Sequence, residues 1–405
     1  MGARVGTAVD ERWQALRGLR ALPLTARLLA LTQLFFNIGF YLVIPYLAGH
    51  LADHVGLVGW VVGLVLGLRT FSQQGLFAVG GALTDRFGAK PTIVIGCLVR
   101  ASGFTVLAVA AHLPLIVLGV VLTGLAGALF SPAVESSLAQ EVPAPARADA
   151  FAAFAVGGEI GAVTGPLLGI AVAGRFQIAC AAGAVLFTLI ALVHWGLLPG
   201  RPGAHRDEPL LDGWRQVFGN RRFLVFAAGC SAYWVSYNQL YLALPVELES
   251  NGAPASALGL LFALASAMIV VLQVPLTSVA RRVLGRGRAV TSGFVVMAVA
   301  FFVVATVPGL VATMTFVVLL TFGQMLLVPF VQELVPVLAG ERRLGVHFGL
   351  MASVGGAAVL VTGPVSGLLL EHGRIAWLCF GVVPLVGALV VGVLARGNVF
   401  GDRTR

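Results

Sequence analysis

Charge is scarce in this chain. Only 11% of its 405 residues are Asp, Glu, Lys or Arg, and a single lysine, Lys90, stands among the 26 basic residues. A soluble domain carries roughly a quarter charged residues; with 59% of this chain hydrophobic, a water-soluble fold could not hide the apolar surface. Cysteine is scarce as well. Cys97, Cys180, Cys230 and Cys379 all fall inside apolar stretches, without C-x-x-C spacing or a His cluster beside them, so neither a metal site nor a disulfide framework is implied. No ATP-binding motif, nucleophile elbow or spaced His/Asp constellation is present, which leaves an enzyme without machinery and implies no cofactor. Residues 1–23 carry Arg4, Arg12, Arg17 and Arg20 beside Asp10 and Glu11 but lack the apolar core and cleavage site of a signal peptide. The first membrane span is therefore expected to be retained.

Long apolar runs fill the rest. Each is about 20 residues or more, enough to cross a hydrocarbon core of roughly 30 Å as a helix. Breaks at charges, Pro and Gly place six spans near 26–51, 57–81, 91–111, 113–138, 150–172 and 176–198, and six more near 222–248, 256–280, 289–307, 310–335, 345–370 and 375–395. The expected organisation is an all-α membrane protein with a six-helix bundle over 1–198, a polar cytoplasmic linker over 199–221 and a second six-helix bundle over 222–405. With both termini inside, the outer connections hold only Arg175 and Arg374 of the Lys and Arg, and only Arg69 and Arg100 lie within spans away from their ends. That asymmetry satisfies the positive-inside rule. It also accounts for the net charge of +9 without nucleic acid. The dominance of Ala, Gly, Val and Arg points to a bacterial source, hence a bacterial cytoplasmic (inner) membrane, and a monomer is expected.

The halves repeat. Tyr41-Leu42-Val43-Ile44-Pro45 recurs 200 residues later as Tyr241-Leu242-Ala243-Leu244-Pro245, pairing the first span with the seventh. Thr164-Gly165-Pro166 with Gly169 recurs 198 residues later as Thr362-Gly363-Pro364 with Gly367, pairing the fifth with the eleventh. Six-plus-six duplication is a transporter architecture, with a binding site expected near the midplane between the halves.

Between the second and third spans lies Gly81-Ala82-Leu83-Thr84-Asp85-Arg86-Phe87-Gly88-Ala89-Lys90-Pro91. A tight turn needs small residues, and its acid can face the positive N-terminus of another helix. The string resembles the loop signature of the major facilitator superfamily. The stretch from Gly63 to Phe104 is similar to the MdtH multidrug-resistance branch of drug:proton antiporters. The resemblance implies a twelve-helix major facilitator fold and a conformational latch built from Gly81, Asp85, Arg86, Gly88 and Lys90, closing against the eleventh span. The counterpart loop, Ala280 to Arg288, keeps the bases and loses the acid. Gly157, Gly161, Gly165 and Gly169, with Pro166, form a four-residue stripe suited to close helix packing, and in the family such a fifth span resembles the antiporter signature. One departure stands out: the Arg that many drug antiporters carry on the fourth span would fall at Val120, which puts a proton relay built on it in doubt.

Ionisable groups at membrane depth are functional candidates. Glu159, about nine residues into the fifth span, is turned roughly 200° from Gly157 and Gly161 and could load and release a proton, form a structural ion pair or line a cavity. Arg69 is near the middle of the second span with Gln73 one turn on; it could neutralise Glu159, bind an anionic substrate or serve packing. Arg100 reads as structural. Gln33, Asn37 and Tyr41 form an i, i+4, i+8 stripe on the first span, mirrored by Tyr233, Tyr237 and Tyr241 on the seventh. These stripes either line a water-accessible path or bond neighbouring helices. Trp234, Phe36 and Gln324 would add an aromatic, sparsely charged lining for lipophilic or amphiphilic small molecules, exported against protons; a facilitator or exchanger of an anionic metabolite is the alternative.

Overall fold

A computed structural model describes residues 24–141, 147–172, 175–200, 217–254, 256–339 and 344–397. All regular structure among them is helical, as expected of apolar segments that must satisfy every backbone polar group internally when surrounded by lipid. The helices are α1 (Leu24–Gly49), α2 (Gly59–Gln74), α3 (Phe77–Phe87), α4 (Ala89–Val109), α5 (Leu113–Glu141), α6 (Arg147–Ala171) and α7 (Phe176–Leu197). They continue as α8 (Arg221–Ser250), α9 (Ser256–Val283), α10 (Arg286–Thr306), α11 (Leu310–Ala339), α12 (Leu344–Leu370) and α13 (Arg374–Arg396). A π-helical turn, His50–His54, prolongs α1. The expected N-terminal segment and most of the expected linker fall outside the described residues.

Ten of these helices are long and apolar enough to cross a membrane. Of the twelve expected spans, the second and seventh fall short, for two physical reasons. The second, expected as one run over 57–81, is broken: α2 has 16 residues and α3 has 11. Gly75 follows α2, its N–H donating to the Phe71 carbonyl at 2.7 Å, and its own carbonyl accepts from the Ser353 hydroxyl of α12 at 3.0 Å. A carbonyl freed at a helix break is thus satisfied by a neighbouring helix, which is how breaks survive at membrane depth. The seventh, α8, has 30 residues but carries Ser231, Tyr233, Ser236, Tyr237, Asn238 and Gln239. The two least apolar expected spans are those that bear Arg69 and the tyrosine stripe.

Two compact units form. The first takes α1 as far as Pro45, α3 from Val79, α4 to α7, and Phe262–Pro275 of α9; the second takes Tyr46–Ala78 with α2, α8, α9 to Leu261, and the chain from Leu276 through α13. In the first, α4 packs against both α5 and α7, around Phe36, Phe104, Phe130 and Phe187. In the second, α10 packs against both α11 and α13, around Phe301, Phe316, Trp377 and Phe380. The repeat reaches this packing. A side chain at Gly96 of α4 would meet the Ala126 carbonyl of α5 at 3.3 Å, and one at Gly293 of α10 would meet the Gly323 carbonyl of α11 at 2.8 Å. Both contacts are spaced by 197 residues. Gly88 (φ 91°) and Gly285 (φ 74°) repeat likewise before α4 and α10, each in the left-handed region that only glycine enters without strain.

Candidate functional site

In the first unit, α1 and α6 are brought together by glycine. A Cβ on Gly158 would lie 3.2 Å from Gln33 and from Asn37, one on Gly161 would strike the Leu34 carbonyl, and one on Gly165 would lie 2.7 Å from Tyr41. The Asn37 amide donates to the Gly158 carbonyl at 2.8 Å. The expected polar stripe is therefore packed on α6, with Asn37 making an interhelical hydrogen bond. The glycine stripe gains a member the sequence analysis missed, Gly158; the signal was there, since the repeat extends to Val156-Gly157-Gly158 and Val354-Gly355-Gly356 at the same offset of 198. Gly157, Pro166 and Gly169 lie on the same helix. Glu159 is half-buried, next to Gly158.

Two expectations about aromatic and basic groups are corrected or sharpened. Phe36 does not line a cavity: it is 6% exposed, stacks on Phe130 at 3.8 Å and meets Phe187 edge-on at 5.0 Å. Arg100 is fully buried with its guanidinium over the rings of Phe36, Phe187 and Phe40 at 4.4, 5.3 and 5.7 Å. Val120, where the resemblance would place an arginine, is buried in the core of α5.

In the second unit, α12 packs on both α2 and α8, and α2 touches α8. The α2–α12 seam is antiparallel and nearly all glycine: Gly59 opposes Gly367, Gly63 opposes Gly363, and Gly67 opposes Leu360. Small residues let backbones approach closely in lipid. Gly59, Gly63 and Gly67 stand at four-residue spacing, a legible stripe that the sequence analysis did not single out. Arg69, 7% exposed, donates to Gln73 at 3.2 Å and to Thr70 at 3.4 Å, so the residue one turn on along the same face is one of its partners.

On α8 the tyrosine stripe is a ring ladder. Tyr233 and Tyr237 stack at 5.6 Å, Tyr237 meets Tyr241 at 5.8 Å, and Trp234 meets Tyr233 at 5.3 Å. Trp234 lies against Gly355 of α12, where a Cβ would strike the indole. Tyr233, Trp234 and Tyr237 are half-buried and Tyr241 is buried. Gln239 donates to Ser366 at 3.1 Å, a buried bridge between α8 and α12. Beyond it, Glu247 accepts from Trp377 and from Asn251, both at 2.9 Å, fixing the C-terminal end of α8 to α13. Gln324 is half-buried on α11.

The two helix-connecting loops differ. At the first, Arg86 is exposed beside Phe87, and the Lys90 ammonium lies 5.7 Å from the Trp195 ring. The Asp85 side chain lies outside the described residues. Open space surrounds Gly81, whereas a Cβ on Gly80 would strike the Ala128 carbonyl of α5. At the second loop, Arg281 and Arg286 both pair with Glu333 of α11, at 2.8 and 2.7 Å. The acid missing from that loop is supplied by the neighbouring helix. Among the described residues no group of His, Cys, Asp and Glu is arranged to hold a metal ion.

This geometry has counterparts among known proteins. The chain is 37% identical over 396 residues to an MFS-type transporter of Mycobacterium tuberculosis (strain H37Rv), with 93% of each chain covered. It is 30% identical over 374 residues to the multidrug resistance protein MdtH of Escherichia coli (strain K12), covering 90% of this chain and 92% of that one. Its fold is that of a crystallised POT peptide transporter (TM-score 0.80, 15% identity, 96% and 99% covered) and of the nucleoside transporter NupG (TM-score 0.76, 15% identity, 91% and 99% covered). The profile of the Major Facilitator Superfamily matches residues 29–361. With that match over most of its length, its helical multi-pass fold and its transporter relatives, the chain belongs to the Major Facilitator Superfamily and is a membrane transporter of small molecules.

Proposed function

We propose that this transporter exports lipophilic or amphiphilic small molecules in exchange for protons, by alternating access of two bundles, 1–198 and 222–405, joined by the linker 199–221. The observation that carries the reading is the Tyr233–Tyr237–Tyr241 ladder with Trp234 seated on Gly355. Such a strip offers flat apolar surface with a few hydroxyls and no charge, a chemistry suited to amphiphiles rather than to highly polar solutes. Glu159 is the proton carrier: it is a half-buried carboxyl on a membrane-spanning helix, and such groups serve proton relays. Gln33, Asn37, Tyr41, Gln73 and Gln324 supply polar contacts to substrate, and Gly81, Asp85, Arg86, Gly88 and Lys90 act as the latch. The relation to MdtH, named for multidrug resistance, supports the substrate class, and the distribution of basic residues supports cytoplasmic termini in a bacterial inner membrane. A monomer suffices.

Arg69 favours one alternative. A buried guanidinium steadied by Gln73 and Thr70 suits an anionic metabolite. Proteoliposomes with an imposed pH gradient separate the two: ethidium should accumulate against its gradient when protons run the other way. Ethidium flux that ignores the pH gradient, with uptake of a carboxylate abolished by Arg69→Gln, would favour the alternative.

A further inference from the structure

A basic side chain in the core of the first unit has no part in the reading above. Arg100 lies on α4, with 0% of its surface exposed. Burying a cation at membrane depth is costly, and a methionine or leucine would fill similar space without that cost. What arginine adds is direction. Its planar, weakly hydrated guanidinium is attracted to ring faces, and here it meets three rings from two other helices: Phe36 and Phe40 of α1, and Phe187 of α7. Phe36 and Phe40 are one turn apart and so share a face of α1. Asn37 and Tyr41 follow them by one residue each, about 100° around the helix. Any rotation of α1 that released the rings from Arg100 would also draw the Asn37 amide from the Gly158 carbonyl and the Tyr41 side chain from Gly165.

We propose that Arg100 is a positioning residue for transport: through Phe36 and Phe40 it fixes the rotation of α1 and holds Gln33, Asn37 and Tyr41 in register against α6. The functional consequence rests on the reading of that stripe as a substrate contact. The rotation itself can be tested without any substrate.

The test uses the full-length purified chain in detergent and a membrane-permeant maleimide. Single cysteines are placed at Gln33, on the polar stripe, and at Phe35, which is exposed and turned about 200° from it. The unsubstituted chain gives the background from Cys97, Cys180, Cys230 and Cys379. Arg100→Met should change the ratio of the two labelling rates by about tenfold, the order expected when a desolvated cation–aromatic contact is removed, and Arg100→Lys should restore part of it. A variant that merely packs less well would unfold at a lower temperature with the ratio unchanged, and that result overturns the proposal. Should Arg100→Met fail to fold, Phe40→Leu carries the same measurement, and an unchanged ratio there also overturns it. A shifted ratio together with failure of proton-driven ethidium transport would count against the proposed function alone.

Discussion

Helices α6 and α12 are two copies of one element that have been put to different uses. Val156-Gly157-Gly158 and Val163-Thr164-Gly165-Pro166 in α6 recur as Val354-Gly355-Gly356 and Val361-Thr362-Gly363-Pro364 in α12. Even the threonine geometry is kept. Thr164 donates to the Ile160 carbonyl and Thr362 to the Ala358 carbonyl, each at 2.8 Å. The differences lie between these anchors, where α6 has Glu159-Ile160-Gly161-Ala162 and α12 has Ala357-Ala358-Val359-Leu360. In its own unit, α6 turns Gly158, Gly161 and Gly165 toward α1; in the other, α12 turns Gly355 toward α8 and Gly356, Gly363 and Gly367 toward α2. The scaffold is shared, and between the anchors an ionisable residue stands in α6 alone.

The sharpest way to break this comparison is at the acid. Glu159→Gln should abolish proton-driven ethidium accumulation in proteoliposomes while leaving ethidium binding intact, because the amide keeps the shape and loses the titratable proton. Accumulation at the parental rate in that variant would remove Glu159 from the coupling role. Ala357→Glu, at the equivalent site of α12, should not restore coupling to it.

The next effect is on stability. Exchanging another of these differences, Gly161→Val, places branched carbons where the Leu34 carbonyl and Asn37 Cβ already lie, and should destabilise by about 1–3 kcal/mol or more through overpacking. Gly363→Val, against the Gly63 backbone, should do the same to the α2–α12 seam. Thermal unfolding in detergent measures both. A Gly161 variant as stable as the parent would mean that α1 does not approach α6 as described.

These two predictions also mark what could be read without coordinates. The spans were legible because lipid leaves long apolar helices as the main solution, and the repeat was legible because identical short strings survive at one offset. The break at Gly75 was not, because a helix stop signalled by a single glycine in an apolar run is weak, and its stabilising partner, Ser353, is 278 residues away. The pairing of α6 glycines with α1 rather than with another helix was likewise beyond reach: four-residue spacing says that a face is flat, not what lies on it. Phe36 was misplaced for a related reason. It borders the polar stripe in sequence, but one residue is 100° of helix, enough to carry it from the stripe into the Arg100 cage.

A smaller effect separates the two aromatic or polar stripes. Asn37 and Tyr237 are equivalent at the offset of 200, yet Asn37 bonds a backbone carbonyl and Tyr237 sits between two other tyrosine rings. Asn37→Ala should cost about 1 kcal/mol of stability, the net worth of a typical hydrogen bond. Tyr237→Ala should instead raise the KM for ethidium several-fold, in keeping with about 0.5–1.5 kcal/mol for an aromatic pair. If both variants changed only the unfolding temperature, the α8 ladder would be packing and not a substrate surface.

The smallest effect is expected within the signature loop, between adjacent glycines. Gly81 belongs to the family string, but beyond its own helix backbone nothing lies within 4 Å of where its Cβ would be, whereas at Gly80 the Ala128 carbonyl occupies that place. Both residues are helical in α3, where alanine is favoured over glycine by roughly 1 kcal/mol. Gly81→Ala should therefore leave the unfolding temperature unchanged or raise it slightly, and Gly80→Ala should lower it, since α3 would have to move off α5. If Gly81→Ala slows transport without lowering stability, the open space beside it is used when the loop closes during the cycle; if transport also stays at the parental rate, the glycine of the string contributes nothing to the latch and its role passes to the charged residues that follow.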